Sequence, residues 1–527
     1  MRTTRPSWAE TGACALVLAL VALAAFGPHV ADAGFLQDNW DLQSQSRFAP
    51  RDGLLGAYEQ AASMRFFDYR PVVSLVFATT HELLGTAVAA HLAIAAAVGV
   101  LVSLLLYCVL RTLGLEWPHA GVIAALALLY PFSDTTRLWA AGGINNLGVA
   151  LYLGGVLVAL RGLRARGRAA VALHAAAAAL YVLSVLTYQV AAAAAMLSVL
   201  VYLLCAPWRA AWPRWAIDVS ATAAATAVVA INAPRRIQAP GAQVEHALEI
   251  AREALSLLWL SALPSASPRP VVAVLLALAL AGVALAVALR RPPGHPLRIQ
   301  LLRWLCVAAL ATAIGIVAGY AIIAPANPFF APLTPGTANR INGVPGIGFV
   351  VLVYALAMLA GTLALGARRR AALPAIVLSA ALALGYWGLL REHEAAWADS
   401  WRLQQRVLAA VERGLGTSRT GATAYTFGHP IDAAPGIAVF RQLDLDPAAK
   451  VALGDRSVSA WPMLPGTTFD CGATRLGPTN NRYGPANAAA YGRAVFIDVA
   501  SGRSQRIDSR RSCQLAVRSF RPGPLLP

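Results

Sequence analysis

Asp38 and Asp41 stand three residues apart in the run Phe35-Leu36-Gln37-Asp38-Asn39-Trp40-Asp41. A carboxylate so placed can take the proton of an attacking hydroxyl. The pair can also hold a divalent metal ion, but only with further oxygen ligands from phosphate and water. Arginine supplies the complementary chemistry, because its planar fork donates two parallel hydrogen bonds to a phosphate. The candidates are Arg70, Arg235, Arg236 and Arg340, each beside an apolar run. Arg340 stands out because Asn339-Arg340-Ile341-Asn342 is polar and leads directly into such a run. Taken singly, each residue also has a plainer reading: acids in a solvated loop, and arginines reaching toward lipid headgroups. His91, at the start of an apolar run, reads as a hydrogen-bonded packing residue. The chain has no glycine-rich phosphate loop, dinucleotide motif, nucleophile elbow or zinc spacing, which removes cytosolic nucleotide chemistry as a leading reading.

The elements that must position these groups are membrane helices. With 58% of 527 residues hydrophobic and 13% charged, the chain has more apolar surface than a soluble core can bury. Runs long enough to span a bilayer recur, separated by short breaks bearing Arg, Pro or Gly. They predict about eleven transmembrane helices: 11 to 27, 88 to 110, 119 to 131, 143 to 160, 169 to 187, 188 to 205, 215 to 232, 270 to 289, 303 to 325, 345 to 366 and 373 to 390. The segment 119 to 131 is short, and the fifth and sixth spans are separated only by Thr187-Tyr188-Gln189. Two further stretches, 72 to 84 and 243 to 262, resemble helices lying on the membrane surface.

The formal charge of +18 points to topology rather than to nucleic acid. Arg2 and Arg5, then Arg161 to Arg168, then Arg290 to Arg303, then Arg368 to Arg370 all fall in breaks on one side. If that side is cytoplasmic, the first long loop, residues 28 to 70 with six acids and four arginines, faces outward. Asp38 and Asp41 then sit just above the membrane. Apart from Asp218, the predicted spans hold essentially no carboxylate, which argues against an ion-coupled carrier.

From residue 391 the character changes to an amphipathic helix (about 394 to 414) and short β-like runs such as Ala494 to Val499. We divide the chain into a transmembrane domain, 1–390, with the first outer loop at 28–87, and an extracytoplasmic α+β domain, 391–527. Cys471 and Cys513 share that domain, where a disulfide is permitted.

Three stretches resemble the GT-C superfamily of membrane glycosyltransferases, which includes protein O-mannosyltransferases and aminoarabinose transferases. Asp38-Asn39-Trp40-Asp41 occupies the place of the family's acidic motif in the first outer loop. Tyr69-Arg70-Pro71, then Leu84-Gly85 and His91, is similar to its Tyr-Arg-Pro, Phe-Gly and His pattern. Tyr130-Pro131-Phe132-Ser133-Asp134, followed by Trp139 and Asn145-Asn146, is similar to a Pro-x-x-Glu segment. The resemblance covers roughly residues 10 to 200. Asn39 replaces the second acid of an adjacent pair, Asp134 stands where Glu is more usual, and Tyr188-Gln189 stands where relatives often carry Glu.

The resemblance implies a catalytic carboxylate at Asp38 or Asp41, a further acid at Asp134, and substrate contacts from Tyr69, Arg70 and His91. The activity implied is transfer of a sugar from a polyprenyl-phosphate donor to an envelope glycan, lipid or protein on the outer face. Two other classes remain open: a transporter or flippase of lipid-linked envelope precursors, and a non-catalytic envelope scaffold. The Arg, Ala and Gly bias, with Lys450 as the single lysine, suggests a GC-rich genome and a bacterial inner (plasma) membrane.

Overall fold

A computed structural model describes residues 6–64, 67–233, 239–324, 330–417, 419–441, 443–479 and 488–522. Among them, nine helices are long and apolar enough to cross a membrane. They are α1 (Trp8–Asp32), then, after the short helix α2 (Asp38–Arg47), α3 (Val88–Thr112), α4 (Gly143–Gly162), α5 (Gly167–Thr187), α6 (Trp208–Asn232), α7 (Pro270–Leu289), α8 (Pro296–Ala321), α9 (Gly343–Leu365) and α10 (Leu373–Leu415). The protein is a polytopic helical membrane protein with a small C-terminal domain containing a β-sheet.

The two remaining predicted spans take other forms. The apolar run from 119 yields a helix of 13 residues, Trp117–Leu129. It stops before Tyr130-Pro131, because proline lacks the N–H that continues a helix and pushes its predecessor to extended geometry; Tyr130 is extended. Residues 188 to 205 break into short turns, Gln189–Ala191, Ala192–Met196 and Val199–Tyr202. Broken backbone at membrane depth is tolerated where protein covers it. Val190, Ala191, Ala192, Ala194, Ala195, Val201 and Tyr202 are indeed all buried. The predicted surface stretches form helices Pro71–Leu84 and Pro240–Ala262.

The amphipathic segment predicted at 394 to 414 is the far half of α10, whose 43 residues run about 65 Å at 1.5 Å each. That is about twice a hydrocarbon core. Its apolar first half crosses; from Arg391 it carries charge and rises into the C-terminal domain. There β1 (Thr423–Phe427), helix α11 (Leu445–Leu453), β2 (Ser459–Pro462), β3 (Ala494–Asp498), β4 (Ser504–Ile507) and helix α12 (Arg510–Ser519) follow. The sheet order is β2-β1-β3-β4, with β1 parallel to both neighbours and β4 antiparallel to β3. A hairpin, Asp432–Ala434 with Ile437–Ala438, projects between β1 and α11. Cys471 and Cys513 are joined as a disulfide, their Cα atoms 5.9 Å apart.

Candidate functional site

Asp38 opens α2, and Asp41 shares its first turn, where the positive end of the helix dipole favours carboxylates. The preceding residue, Gln37, has φ +44°, a conformation that costs a non-glycine residue energy and persists only where its surroundings impose it. Those surroundings are aromatic. Trp40 stacks on Trp401 of α10 with centroids 6.0 Å apart, meets Phe35 edge-on at 5.5 Å, and donates through Nε1 to Gln404 Oε1 at 2.8 Å. Phe35 and Trp40 are buried in one cluster with Val407, Val439, Phe440 and Leu445 of the C-terminal region. On the other flank Trp139 Nε1 donates to Leu36 O at 3.0 Å, and Ala141 N donates to Asn39 Oδ1 at 3.4 Å.

This bracing leaves Asp38 exposed and Asp41 half-buried. Asp38 is nevertheless ringed by protein, so burial pushes its carboxyl above the usual range, with the charge of Arg340 pulling the other way. Burial also raises Asp41, whose Oδ1 accepts from Gln45 Nε2 at 3.4 Å.

Arg340 faces this acid from the segment before α9. Its guanidinium lies over the rings of Trp139 (5.2 Å) and Phe330 (5.1 Å), and Nη1 donates to Thr337 O at 3.0 Å. Tyr188 lies close enough to feel the charges of Arg340, Arg70 and Asp38 together. Arg70 stacks over Tyr188 at 4.6 Å and Tyr69 at 4.8 Å, and Nη2 donates to Gln189 Oε1 at 3.1 Å. Its buried Nε has no hydrogen-bond partner among the described residues. Asp38, Arg340, Tyr188, Arg70 and Tyr69 thus converge, with a carboxylate on one side and two aromatic-backed guanidiniums on the other.

Asp134 occupies a different position. It is 1% exposed, and both oxygens are engaged, Oδ1 by Asn339 Nδ2 and Oδ2 by His393 Nδ1, each at 2.5 Å. Burial works to raise its pKa, but His393, Asn339 and Arg137 outweigh it and hold the carboxyl below the usual range. Thr135 Oγ1 donates to Gly336 O at 2.5 Å, so this turn anchors the segment that carries Arg340.

His91 Nε2 lies within hydrogen-bond reach of two groups, Gly85 O at 2.9 Å, to which it can donate, and Gln43 Nε2 at 3.3 Å, from which the other tautomer accepts, and the ring meets Phe35 edge-on at 5.4 Å. It thus touches the acidic segment through Phe35 and through Gln43 of α2, and neither Asp38 nor Asp41 is among its hydrogen-bond partners. Arg235 and Arg236 lie outside the described residues. Among the described residues, no three His, Cys, Asp or Glu side chains are grouped to hold a metal ion.

One group had no place in the sequence reading. Asp444, beside α11, lies close enough to Asp38 and Asp41 to feel both charges. Burial pushes it to about 7 against the hydrogen bond from Arg441 N, and the two acids add to the rise. Nothing in the local sequence marks it; only docking of the C-terminal domain brings it to α2, where Arg47 Nη1 donates to Val451 O at 3.0 Å. Tyr188 did carry a signal, as part of a polar pair interrupting an apolar run.

An apolar cleft of about 130 Å³ runs between α3, α4, α8 and α9, walled by residues such as Leu110, Tyr152, Leu310, Val344 and Val351. Val344 lies four residues beyond Arg340.

No known family model matches the chain, and no curated protein does. Solved structures similar to it include two of ArnT from Cupriavidus metallidurans. The apo form is 14% identical with a TM-score of 0.43, and the form bound to undecaprenyl phosphate is 16% identical with a TM-score of 0.42. Each alignment covers 84% of this chain and 89% of that one.

Proposed function

We propose that this protein is a glycosyltransferase that moves a sugar from a polyprenyl-phosphate donor to a hydroxyl acceptor on the outer face of the membrane. The observation that carries the reading is the meeting of Asp38 with Arg340 and Arg70 around Tyr188. A lipid phosphate leaves as an anion, and stacked guanidiniums with a spare buried N–H suit it. The apolar cleft suits an isoprenoid chain.

In this reading the phosphate sits between Arg70 and Arg340, and the acceptor hydroxyl attacks the anomeric carbon as the carbon–oxygen bond to phosphate breaks. Asp38 takes the hydroxyl proton, and the arginines hold the departing charge. Asp41 stands one helical turn behind as the second candidate for the base. Tyr69 and Tyr188 orient Arg70, and Asp134 holds the Arg340 segment rather than meeting substrate. His91 supports Phe35. The site lies on the same side as the C-terminal domain, and a bacterial inner membrane is its setting.

The test is turnover of defined polyprenyl-phosphate sugars by the purified protein in detergent. Asp38→Asn is expected to lower turnover by about 10² to 10⁴-fold, the range of a lost general base. Full turnover in Asp38→Asn, Asp41→Asn and the double variant would exclude the mechanism, and lipid translocation without donor cleavage would replace it with transport.

A further inference from the structure

The C-terminal domain carries a charged face that the proposed transfer does not use. β4, α12 and the residues flanking them present Arg503, Arg506, Arg510, Arg511, Arg518 and Arg521 to solvent. None of the six takes part in an ion pair among the described residues. The acids beside them are three, Asp508, Asp470, which acts with Arg510 on Tyr491, and Asp498, whose backbone N–H donates to Arg503 O across the β3–β4 turn and whose carboxylate is taken up by Ala500 and Ser501. Positive charge therefore dominates the stripe.

Two features separate this stripe from an ordinary solvated surface. Arg510 and Arg511 occupy the first turn of α12, which holds no acid, and there positive charge opposes the helix dipole. Folding gains nothing from that placement, whereas an incoming anion gains from both the arginines and the dipole. The face is also held rigid. The disulfide ties Cys513 on the buried side of α12 to Cys471, and Phe520 packs on Phe427 and Phe496 at 5.4 and 5.6 Å. Arg503 lies over Phe520 at 4.2 Å and donates to Ser519 O at 3.0 Å.

Its position argues against lipid headgroups as the partner. Gly414, near the end of α10, abuts Ser504 of β4. The helix reaches that point 24 residues after Leu390 (414 − 390), which is about 36 Å of rise. Headgroup charge is screened within about 8 Å at physiological salt.

We propose that this arginine face binds a polyanionic glycan, a chain bearing phosphate or carboxylate groups, and that such a polymer is the acceptor of the transfer proposed above. Guanidinium forks along a stripe match repeated oxyanions on a flexible chain. The binding step stands independently of the transfer; only its identification with the acceptor rests on that reading.

The test uses the full-length protein in detergent. Binding of long-chain polyphosphate and of polygalacturonate is measured across a salt series, with phosphatidylglycerol vesicles as the competing lipid surface. The wild type is expected to bind at least one polymer with affinity that falls as salt rises. The triple variant Arg510→Gln, Arg511→Gln, Arg518→Gln is expected to weaken binding at least tenfold, and the triple Lys variant to retain most of it. Gln at Arg290 and Arg291 serves as a control that should change nothing. Equal polymer binding by wild type and the Gln variant, or a preference for vesicles, overturns the proposal. Polymer binding without any donor turnover would keep the face and reject the transfer; turnover without polymer binding would do the reverse.

Discussion

The backbone of Gly336 rests directly against that of Gly436, both with left-handed φ (+66° and +74°), and Thr337 N donates to Gly436 O at 3.3 Å. A Cβ on either glycine would overlap the other strand of this contact. The hairpin of the C-terminal domain thereby seats on the segment that carries Arg340, while Trp401 and Gln404 hold the loop that carries Asp38. One domain braces both halves of the candidate site.

Gly436→Ala should loosen the Arg340 side alone. A left-handed alanine costs about 1–2 kcal/mol before any overlap is counted, and the hairpin must lift. We expect the donor KM to rise by about tenfold while kcat changes less, with hydrogen exchange increasing at 336–342 and not at 36–44. Matching increases in both segments would show general destabilisation instead.

Trp401→Ala removes the ring beneath Trp40 and should act on the opposite arm. Turnover is expected to fall by at least tenfold with donor affinity nearly unchanged, because the Asp38 loop loses its stacking partner. An unchanged kcat would remove the bracing role.

Arg340→Lys keeps the charge but loses the fork, and so the geometry that lies over Trp139 and Phe330. Binding of a polyprenyl monophosphate, followed by tryptophan fluorescence, should weaken by about tenfold, and by more in Arg340→Ala. Wild-type affinity in both variants would remove Arg340 from the donor site.

Asp444 predicts a pH dependence. Its folded-state pKa, about 7, lies above the unfolded value, near 3.9, so the folded chain binds more protons between those limits. Stability contributed here is full at low pH and declines as pH rises from about 4 through 7. The raised Asp38 carboxyl contributes in the same direction. Melting of the wild type should drop between about pH 4 and 7, and Asp444→Asn should flatten the drop; an equally steep fall in the variant would assign it elsewhere.

Cys471→Ser with Cys513→Ser should destabilise the C-terminal domain by about 2–5 kcal/mol while leaving donor affinity intact, since the disulfide lies on the α12 side. Melting curves with and without reductant provide the check.

The sequence by itself determined the membrane class and most of the helices, because a run of apolar residues between arginines is a local signal that the bilayer reads directly. It also singled out Asp38, Arg70 and Arg340 one at a time, since carboxylate and guanidinium chemistry belongs to the residue. Tertiary packing decided which of them meet. Asp38 and Arg340 are separated by some three hundred residues, and Asp444 is further still, so no spacing encodes their approach. It follows from Trp139 bridging Leu36 and Arg340, and from a domain docked on α2. The same packing took Asp134 out of solvent by filling both its oxygens. It also allowed residues 188 to 205 to break where neighbours cover their backbone, placing Tyr188 between the two arginines. A side chain's type is written in the chain, but its free valences are settled only by what packs against it.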